Sequence, residues 1–276
     1  MTIAAHPDLT TIPDGAIVLH VDEAASHDAA RAWAADQAAA ERRPLALVAM
    51  TPTAPGTAFT HDREQEAAEA FVAASAASVV ELHPDLEVHT RVVPTDAVPT
   101  LVGMSARSSL LVIGAHPGGL AALAKSWGVD AWLSARTACP LVVVPRHHPA
   151  RVRRGVLAGV DLGEHSGQVL EFAFRQAALH RLPLTVMTCS ADRAENDADR
   201  RRLSEVTAGF RERYPDVHLT PVAAHGRPAH ELVRAAERMN LLVVGRHRRS
   251  PSLAGHVRGG VVDRAGCPVA VVPVLS

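Results

Sequence analysis

The sequence predicts an α/β protein with two tandem five-stranded parallel sheets flanked by helices. Two observations lead to this fold class. The 276-residue chain carries a collinear internal repeat, and within each copy short Val, Leu and Ile runs alternate with longer helical patterns. Continuously apolar runs are typical of strands that are buried on both faces of a parallel sheet.

The repeat is defined by matched segments whose separation decreases along the chain from 139 to 131 and then to 128 residues. The matched segments are Asp22 with Asp161, Leu110–Gly114 with Leu241–Gly245, and Cys139–Pro145 with Cys267–Pro273. We therefore predict one domain over residues 1–146 and a second over 152–276. The linker of residues 147–151 is short, so we expect the two copies to pack against each other.

In the second copy the apolar and helical patterns predict nine elements. The strands are short apolar runs and the helices are longer segments with a helical apolar face. In chain order they are strand 154–161, helix 164–181, strand 184–189, helix 194–214, strand 217–222, helix 228–239, strand 241–245, helix 255–265 and strand 268–273. The second helix shows its apolar face at Leu203, Val206, Phe210 and Tyr214, which we expect to form one buried stripe.

Composition and charge narrow the class of partner and compartment. The formal net charge is −1, which argues against nucleic acid or anionic membrane as a partner. We find no secretory leader pattern and no apolar run of membrane-spanning length. The three cysteines lack paired spacing, which fits reduced thiols in the cytoplasm. The histidines form no zinc pattern, so no metal site is predicted.

A ligand of an open parallel sheet binds beyond the carboxyl ends of the strands, where the strand order reverses. That rule selects Asp22 and Asp161 after the first strands and Gly114 and Gly245 after the fourth. An aspartate there can accept hydrogen bonds from a base or ribose, and a glycine loop can hold phosphates. The alternatives remain open: the aspartates cap the next helix or face solvent, and the glycines only serve a tight turn.

The duplicated order of these features resembles the universal stress protein family in its tandem form, from about Ala16 to Val274. The resemblance also rests on Gly226-Arg227-Pro228-Ala229 and on the ending Ala-Gly-Cys-Pro-Val-Ala-Val-Val-Pro. It implies the adenine nucleotide alpha hydrolase-like fold of that family. Many members bind ATP through a Gly-x2-Gly-x9-Gly-Ser/Thr loop, while others do not. Members dimerise largely through the last strand, and tandem members can make that contact internally.

The first copy departs from the loop motif that the resemblance implies. Gly114 is kept, but Pro117 replaces the second glycine and Trp127-Gly128 stands at the Gly-Ser position. Proline has no amide hydrogen to offer a phosphate, and tryptophan obstructs a close approach of the ligand to the backbone. We expect this copy to lack normal ATP binding.

The second copy keeps Gly245, while Arg248 takes the second glycine position and the glycine spacing is three residues short. Gly255 and His256 fill the Gly-Ser position, followed by Val257. Arg246 and Arg248 belong to a basic cluster whose guanidinium groups could replace backbone amides as phosphate donors. The alternative is a solvated basic loop. This copy is the better candidate for ATP, another nucleotide or an anion.

No catalytic constellation is found, because the chain has neither a P-loop nor a nucleophile-elbow motif. The leading hypothesis is therefore a non-enzymatic stress-response or regulatory protein with degenerate nucleotide-binding loops. It would act through an unidentified protein partner, as a homo-oligomer or an intramolecular pseudo-dimer. One alternative is an ATP-binding protein that hydrolyses slowly with its second domain. Another is a structural dimerisation module without ligand, joined through Leu141–Pro145 and Val269–Pro273.

Overall fold

In a computed structural model of the chain, the structure describes residues 12–22, 27–51, 58–94, 97–115, 136–145, 155–163, 166–190, 196–246, 261 and 264–273. The strands there are β1 Ile17–His20, β2 Leu45–Thr51, β3 Val88–Pro94, β4 Leu110–Gly114, β5 Leu141–Val144, β6 Val156–Gly159, β7 Leu184–Ser190, β8 Leu219–His225, β9 Leu241–Gly245 and β10 Val269–Val272. The helices there are α1 His27–Glu41, α2 Ala58–Leu82, α3 Ala97–Ser105, α4 Ser166–His180, α5 Asn196–Arg213 and α6 Pro228–Ala236.

The strands form a mixed sheet in which each half of the chain contributes five parallel strands, as the sequence predicts. The spatial order is β3-β2-β1-β4-β5-β10-β9-β6-β7-β8. The junction is the antiparallel pairing of β5 with β10, in which Val142 lies opposite Ala270. The two five-stranded sheets are therefore continuous with each other, because the last strand of each half pairs within the chain.

The two faces of the sheet are packed differently. On the face that α1, α2, α4 and α5 cover, one apolar core runs through both halves and includes Ala34, Val72, Phe174 and Leu203. On the other face, α3 packs on a separate cluster in the first half and α6 on another in the second half. Among the described residues, the halves therefore share a core on one side of the sheet, where α1 and α4 contact each other.

The same helix ending occurs in both copies of the repeat. Arg42 and Arg181, which follow α1 and α4, have positive φ angles of 52° and 53°. After α1 the amide of Arg43 donates to the carbonyl of Ala38 at 3.0 Å, and after α4 Leu182 donates to Ala177 at 2.9 Å. These are Schellman-type caps, which satisfy the last helical carbonyls and turn the chain into the next strand.

The predicted elements of the second copy agree closely with the structure, apart from their ends. The strand predicted over 154–161 is β6, Val156–Gly159, and the helix predicted over 194–214 is α5, Asn196–Arg213. The helix predicted over 255–265 and the linker of residues 147–151 fall mostly or wholly outside the described residues. None of the helices within the described ranges has both the length and the apolar character needed to cross a bilayer.

The apolar stripe predicted on α5 needs one correction. Leu203 is fully buried, and the rings of Phe210 and Tyr214 stack on Phe174 at centroid distances of 5.3 and 5.6 Å. Val206, however, is 37% exposed, while its neighbour Thr207 is buried. The hydroxyl of Thr207 donates to the carbonyl of Leu203 at 2.7 Å, so a threonine can occupy the buried face without an unpaired polar group.

Candidate functional site

The carboxyl ends of β6 and β9 form the predicted ligand edge in the second half. These strands are hydrogen-bonded neighbours, with Gly159 in register with Val244. Asp161 lies two residues beyond Gly159, and Gly245 follows Val244 directly. The chain continues from β6 to β7 on one side and from β9 to β10 on the other, so this edge is the point where the strand order reverses.

Asp161 is exposed at this edge and holds the loop that leads into α4. Its Oδ1 accepts hydrogen bonds from the Gly163 amide at 3.0 Å and from the Ser166 hydroxyl at 3.3 Å. This is the local capping role that the sequence left open as an alternative to ligand binding. A carboxylate has about four lone-pair sites, so these two bonds are compatible with a further bond to a ligand.

The first half repeats this arrangement. His20 of β1 is in register with Ile113 of β4, so Asp22 and Gly114 end neighbouring strands just as Asp161 and Gly245 do. Asp22 is half-buried and Gly114 is buried. The structure therefore brings together the aspartate and the glycine that were predicted for each copy. Pro117 and Trp127 lie outside the described residues.

Arg246, which was predicted as a phosphate ligand, makes a contact between the halves. It is only 8% exposed, and its Nη1 donates to the main-chain carbonyl of Thr137 in the first half at 2.8 Å. Its amide donates to Val272, extending the β9–β10 pairing. In this structure the Arg246 guanidinium therefore stabilises the contact between the halves, and the repeat pattern could not indicate this because Thr137 is distant in sequence.

The remaining predicted site residues lie in the segment after β9. Arg248, Gly255, His256 and Val257 fall outside the described residues, so their binding roles stay predictions. Among the residues that are described, no group of three or more His, Cys, Asp and Glu side chains is arranged to hold a metal ion.

The sequence analysis assigned no role to Cys189 or Glu231. Cys189 lies near the carboxyl end of β7, and Glu231 lies in α6. Burial, with a smaller contribution from the nearby negative charge of Glu231, raises the pKa of the Cys189 thiol to about 11. The Glu231 carboxylate accepts hydrogen bonds from Arg234 and His230, which lower its own pKa. The thiol is therefore protonated at neutral pH and is a poor nucleophile.

Comparison with known proteins gives consistent similarities along the chain. A family model described as the universal stress protein family matches residues 153–273. Two universal stress proteins of Mycobacterium tuberculosis are each 28% identical to this chain, over 288 and 285 aligned residues. Both alignments cover 92% of this chain, and they cover 96% and 95% of the relatives.

Solved structures show the same fold. A universal stress protein from Archaeoglobus fulgidus superposes with a TM-score of 0.75 at 17% identity, covering 95% of this chain and 97% of the other. A protein described as functionally unknown, from Pseudomonas aeruginosa, has a TM-score of 0.59 at 18% identity, covering 95% and 93%. At these identities the likeness concerns the arrangement of the chain.

Proposed function

We propose that this chain, which belongs to the universal stress protein family, is a non-enzymatic stress-response or regulatory protein that binds a nucleotide or anion in its second half. The observation that supports the proposal best is the position of Asp161 and Gly245 at the carboxyl ends of the neighbouring strands β6 and β9. An aspartate there can accept hydrogen bonds from a ribose or base. Backbone amides after the glycine can hold phosphate.

The choice of the second half rests on the sequence of the two loops. Pro117 cannot donate an amide hydrogen bond, and Trp127 takes the place of a glycine in the first half. The second half instead carries Arg248 and Gly255 after Gly245. Guanidinium groups suit phosphate recognition because they donate parallel hydrogen bonds to two oxygens.

A regulatory role is supported by the contact of Arg246 with the first half. This residue follows Gly245 directly, and its side chain holds the carbonyl of Thr137 at 2.8 Å. A ligand that shifts the chain after Gly245 would act on the hydrogen bond between the halves. Binding would thereby change how the halves are joined, which a partner protein could detect. We place this role in the cytoplasm, where the three cysteines, which form no disulfide in the described part of the chain, are expected to stay reduced.

Two features support a binding role over catalysis. The sequence contains no P-loop and no nucleophile elbow. The Cys189 thiol, at the carboxyl end of β7, has its pKa raised to about 11 and is not a reactive thiolate. We propose that the working unit is the single chain as a pseudo-dimer, since β5 and β10 pair within it.

The experiment that tests this proposal is a nucleotide titration. Any co-purifying small molecule is released and identified, and ATP is then titrated by calorimetry with and without magnesium. We expect one site per chain, weakened about tenfold or more in Asp161→Asn, which removes a charged hydrogen-bond acceptor. The matched variant Asp22→Asn in the first half should leave the affinity unchanged.

Each other outcome would contradict part of the proposal. Two ATP sites per chain would mean that the first loop also binds despite Pro117. Absence of binding at millimolar ATP would contradict nucleotide recognition and turn attention to protein partners. Specific ATP turnover by the pure protein, lost in Asp161→Asn, would contradict the non-enzymatic role and favour slow hydrolysis.

A further inference from the structure

A second cleft lies at the opposite edge of the sheet from Asp161 and Gly245. It has a volume of about 330 Å³ and is formed between α1, α4 and the amino ends of β6 and β9. The described residues that line it are Trp33, Asp36, Gln37, Val156, Gln176, His180, Leu182, Asn240 and Leu241. Both halves of the chain contribute to it, and its volume lies in the range of small-ligand sites.

Gln176 places a buried hydrogen-bond acceptor in this cleft. The residue is 1% exposed, and its Nε2 donates to Glu41 Oε1 at 3.4 Å. Its Oε1 accepts no hydrogen bond from any residue that the structure describes. Rotating the amide would point the oxygen at the Glu41 carboxylate, so the orientation is determined by charge. A buried acceptor without a partner is costly, which favours a ligand that donates a hydrogen bond.

The other polar groups around Gln176 satisfy one another. Gln37 Nε2 donates to Glu41 at 2.7 Å, so its Oε1 is the acceptor that faces His180 Nε2 at 2.9 Å. Arg43 balances the Glu41 charge at 3.2 Å. Burial lowers the pKa of His180, although Asp36 and Glu41 oppose that shift, so the imidazole is neutral. These hydrogen bonds hold the side chains of the cleft wall in place. Gln176 Oε1 remains as the acceptor that a ligand in the cleft can use.

The charge and shape of the lining indicate what kind of ligand fits. Among the described lining residues, Asp36 is the one with a formal charge at neutral pH, and its carboxylate is exposed at the rim, 3.2 Å from His83. Trp33 adds a half-buried aromatic ring. An acid beside an indole ring favours a cation, because both attract positive charge.

The internal repeat provides a direct comparison. The residues 139 positions after Trp33 and Asp36 are Phe172 and Arg175. Arg175 there places its guanidinium over the Phe172 ring at 5.3 Å. The second copy thus carries its own cation on the equivalent aromatic ring. The first copy instead has Asp36 at the position of Arg175, so a cation next to Trp33 would have to come from a bound ligand.

We infer that the cleft between α1 and α4 binds a small planar organic cation, which donates an N–H group to Gln176 Oε1 and lies against Trp33 with its charge near Asp36. Such a ligand would contact both halves at once. This site is separate from the proposed nucleotide site, because it lies at the amino ends of the strands.

The test uses benzamidine, a planar aromatic cation with N–H donors, and benzoate, which has a similar shape and the opposite charge. Binding to the full chain is followed by ligand-observed NMR, and the site is located by soaking crystals. We expect benzamidine to bind at one site per chain and benzoate to bind at least about tenfold more weakly. Saturating ATP should not displace benzamidine.

Variants separate the proposed contacts from general effects on folding. Trp33→Leu and Gln176→Leu should each weaken benzamidine binding about tenfold, and the exposed Asp36→Asn about threefold. Phe172→Leu, the equivalent change in the second copy, should leave binding unchanged. Thermal unfolding of each variant confirms that it is folded. Equal binding of benzoate, unchanged affinity in Asp36→Asn, or benzamidine seen at crystal concentration only would overturn the inference.

Discussion

The guanidinium of Arg246 donates from Nη1 to the main-chain carbonyl of Thr137 at 2.8 Å, which joins the second half of the chain to the first. The residue 131 positions earlier, equivalent to Arg246 in the repeat, is Ala115. Ala115 makes the same amide bond to β5, but it has no side-chain donor to reach the other half. The pseudo-symmetric molecule therefore carries an asymmetric link beside its candidate ligand edge.

Arg246→Met should destabilise the protein by about 2 kcal/mol. The substitution keeps an apolar stem but removes a charged donor, and it deprives the Thr137 carbonyl of its partner. The free energy of unfolding is measured by urea denaturation. Arg202→Met on the exposed face of α5 is the control and should change stability by less than about 0.5 kcal/mol. Equal losses in the two variants would show that the link contributes nothing measurable.

His180 should make stability depend on pH. Burial lowers the pKa of His180 below the ordinary value of 6.5, although the charges of Asp36 and Glu41 oppose the shift, so the unfolded chain binds this proton more readily. The His180 contribution is therefore fully present above about pH 7 and is lost as the pH falls through 6.5 and below. Unfolding free energies at pH 8 and pH 5.5 should differ less in His180→Gln than in the natural chain.

The exposed His218 provides the matched control for this measurement. His218→Gln should leave the difference between pH 8 and pH 5.5 as it is in the natural chain. A His180→Gln variant with the unaltered pH dependence would mean that the folded chain protonates His180 as easily as the unfolded chain does.

The α5 stripe can be tested with two neighbouring substitutions. Leu203→Ala should cost about 3 kcal/mol, because Leu203 is fully buried and its loss leaves a cavity. Val206→Ala should cost less than about 0.5 kcal/mol, because Val206 is 37% exposed. Chemical denaturation of both variants gives the comparison. A large loss of unfolding free energy in Val206→Ala would mean that Val206 belongs to the buried stripe, as the helical spacing predicts.

The positions of the strands and their burial in a parallel sheet followed from the sequence, because parallel strands buried on both faces need continuously apolar runs, such as Leu241–Gly245. Because the two copies match in order, each strand predicted in one copy also predicted the equivalent strand in the other. The pairing of Asp161 with Gly245 at one edge also followed, since carboxyl ends of parallel strands lie on the same side.

Other features depend on contacts between residues distant in sequence. The sequence indicates only that Arg246 is a cation in a loop. The structure shows that its side chain donates a hydrogen bond to the carbonyl of Thr137, 109 residues earlier. In the sequence, Gln176 is one polar residue within a predicted helix. Its hydrogen bond to Glu41 of α1 appears only once the two helices are packed together. Thr207 is buried where the helical spacing predicts Val206, because the Thr207 hydroxyl donates to a carbonyl of its own helix. The spacing of apolar residues does not reveal this hydrogen bond.

Gly155, at the entry to β6, should tolerate no side chain. Its φ is +116°, and a Cβ there would lie 2.2 Å from the Pro183 carbonyl oxygen. Gly155→Ala should therefore reduce the free energy of unfolding by more than about 2 kcal/mol, combining backbone strain with a clash. Gly167→Ala in α4 meets nothing within 4 Å and should leave stability unchanged or raise it by up to about 1 kcal/mol. Urea denaturation of the two variants decides the matter, and a Gly155→Ala chain as stable as Gly167→Ala would mean that the entry to β6 can move away from Pro183.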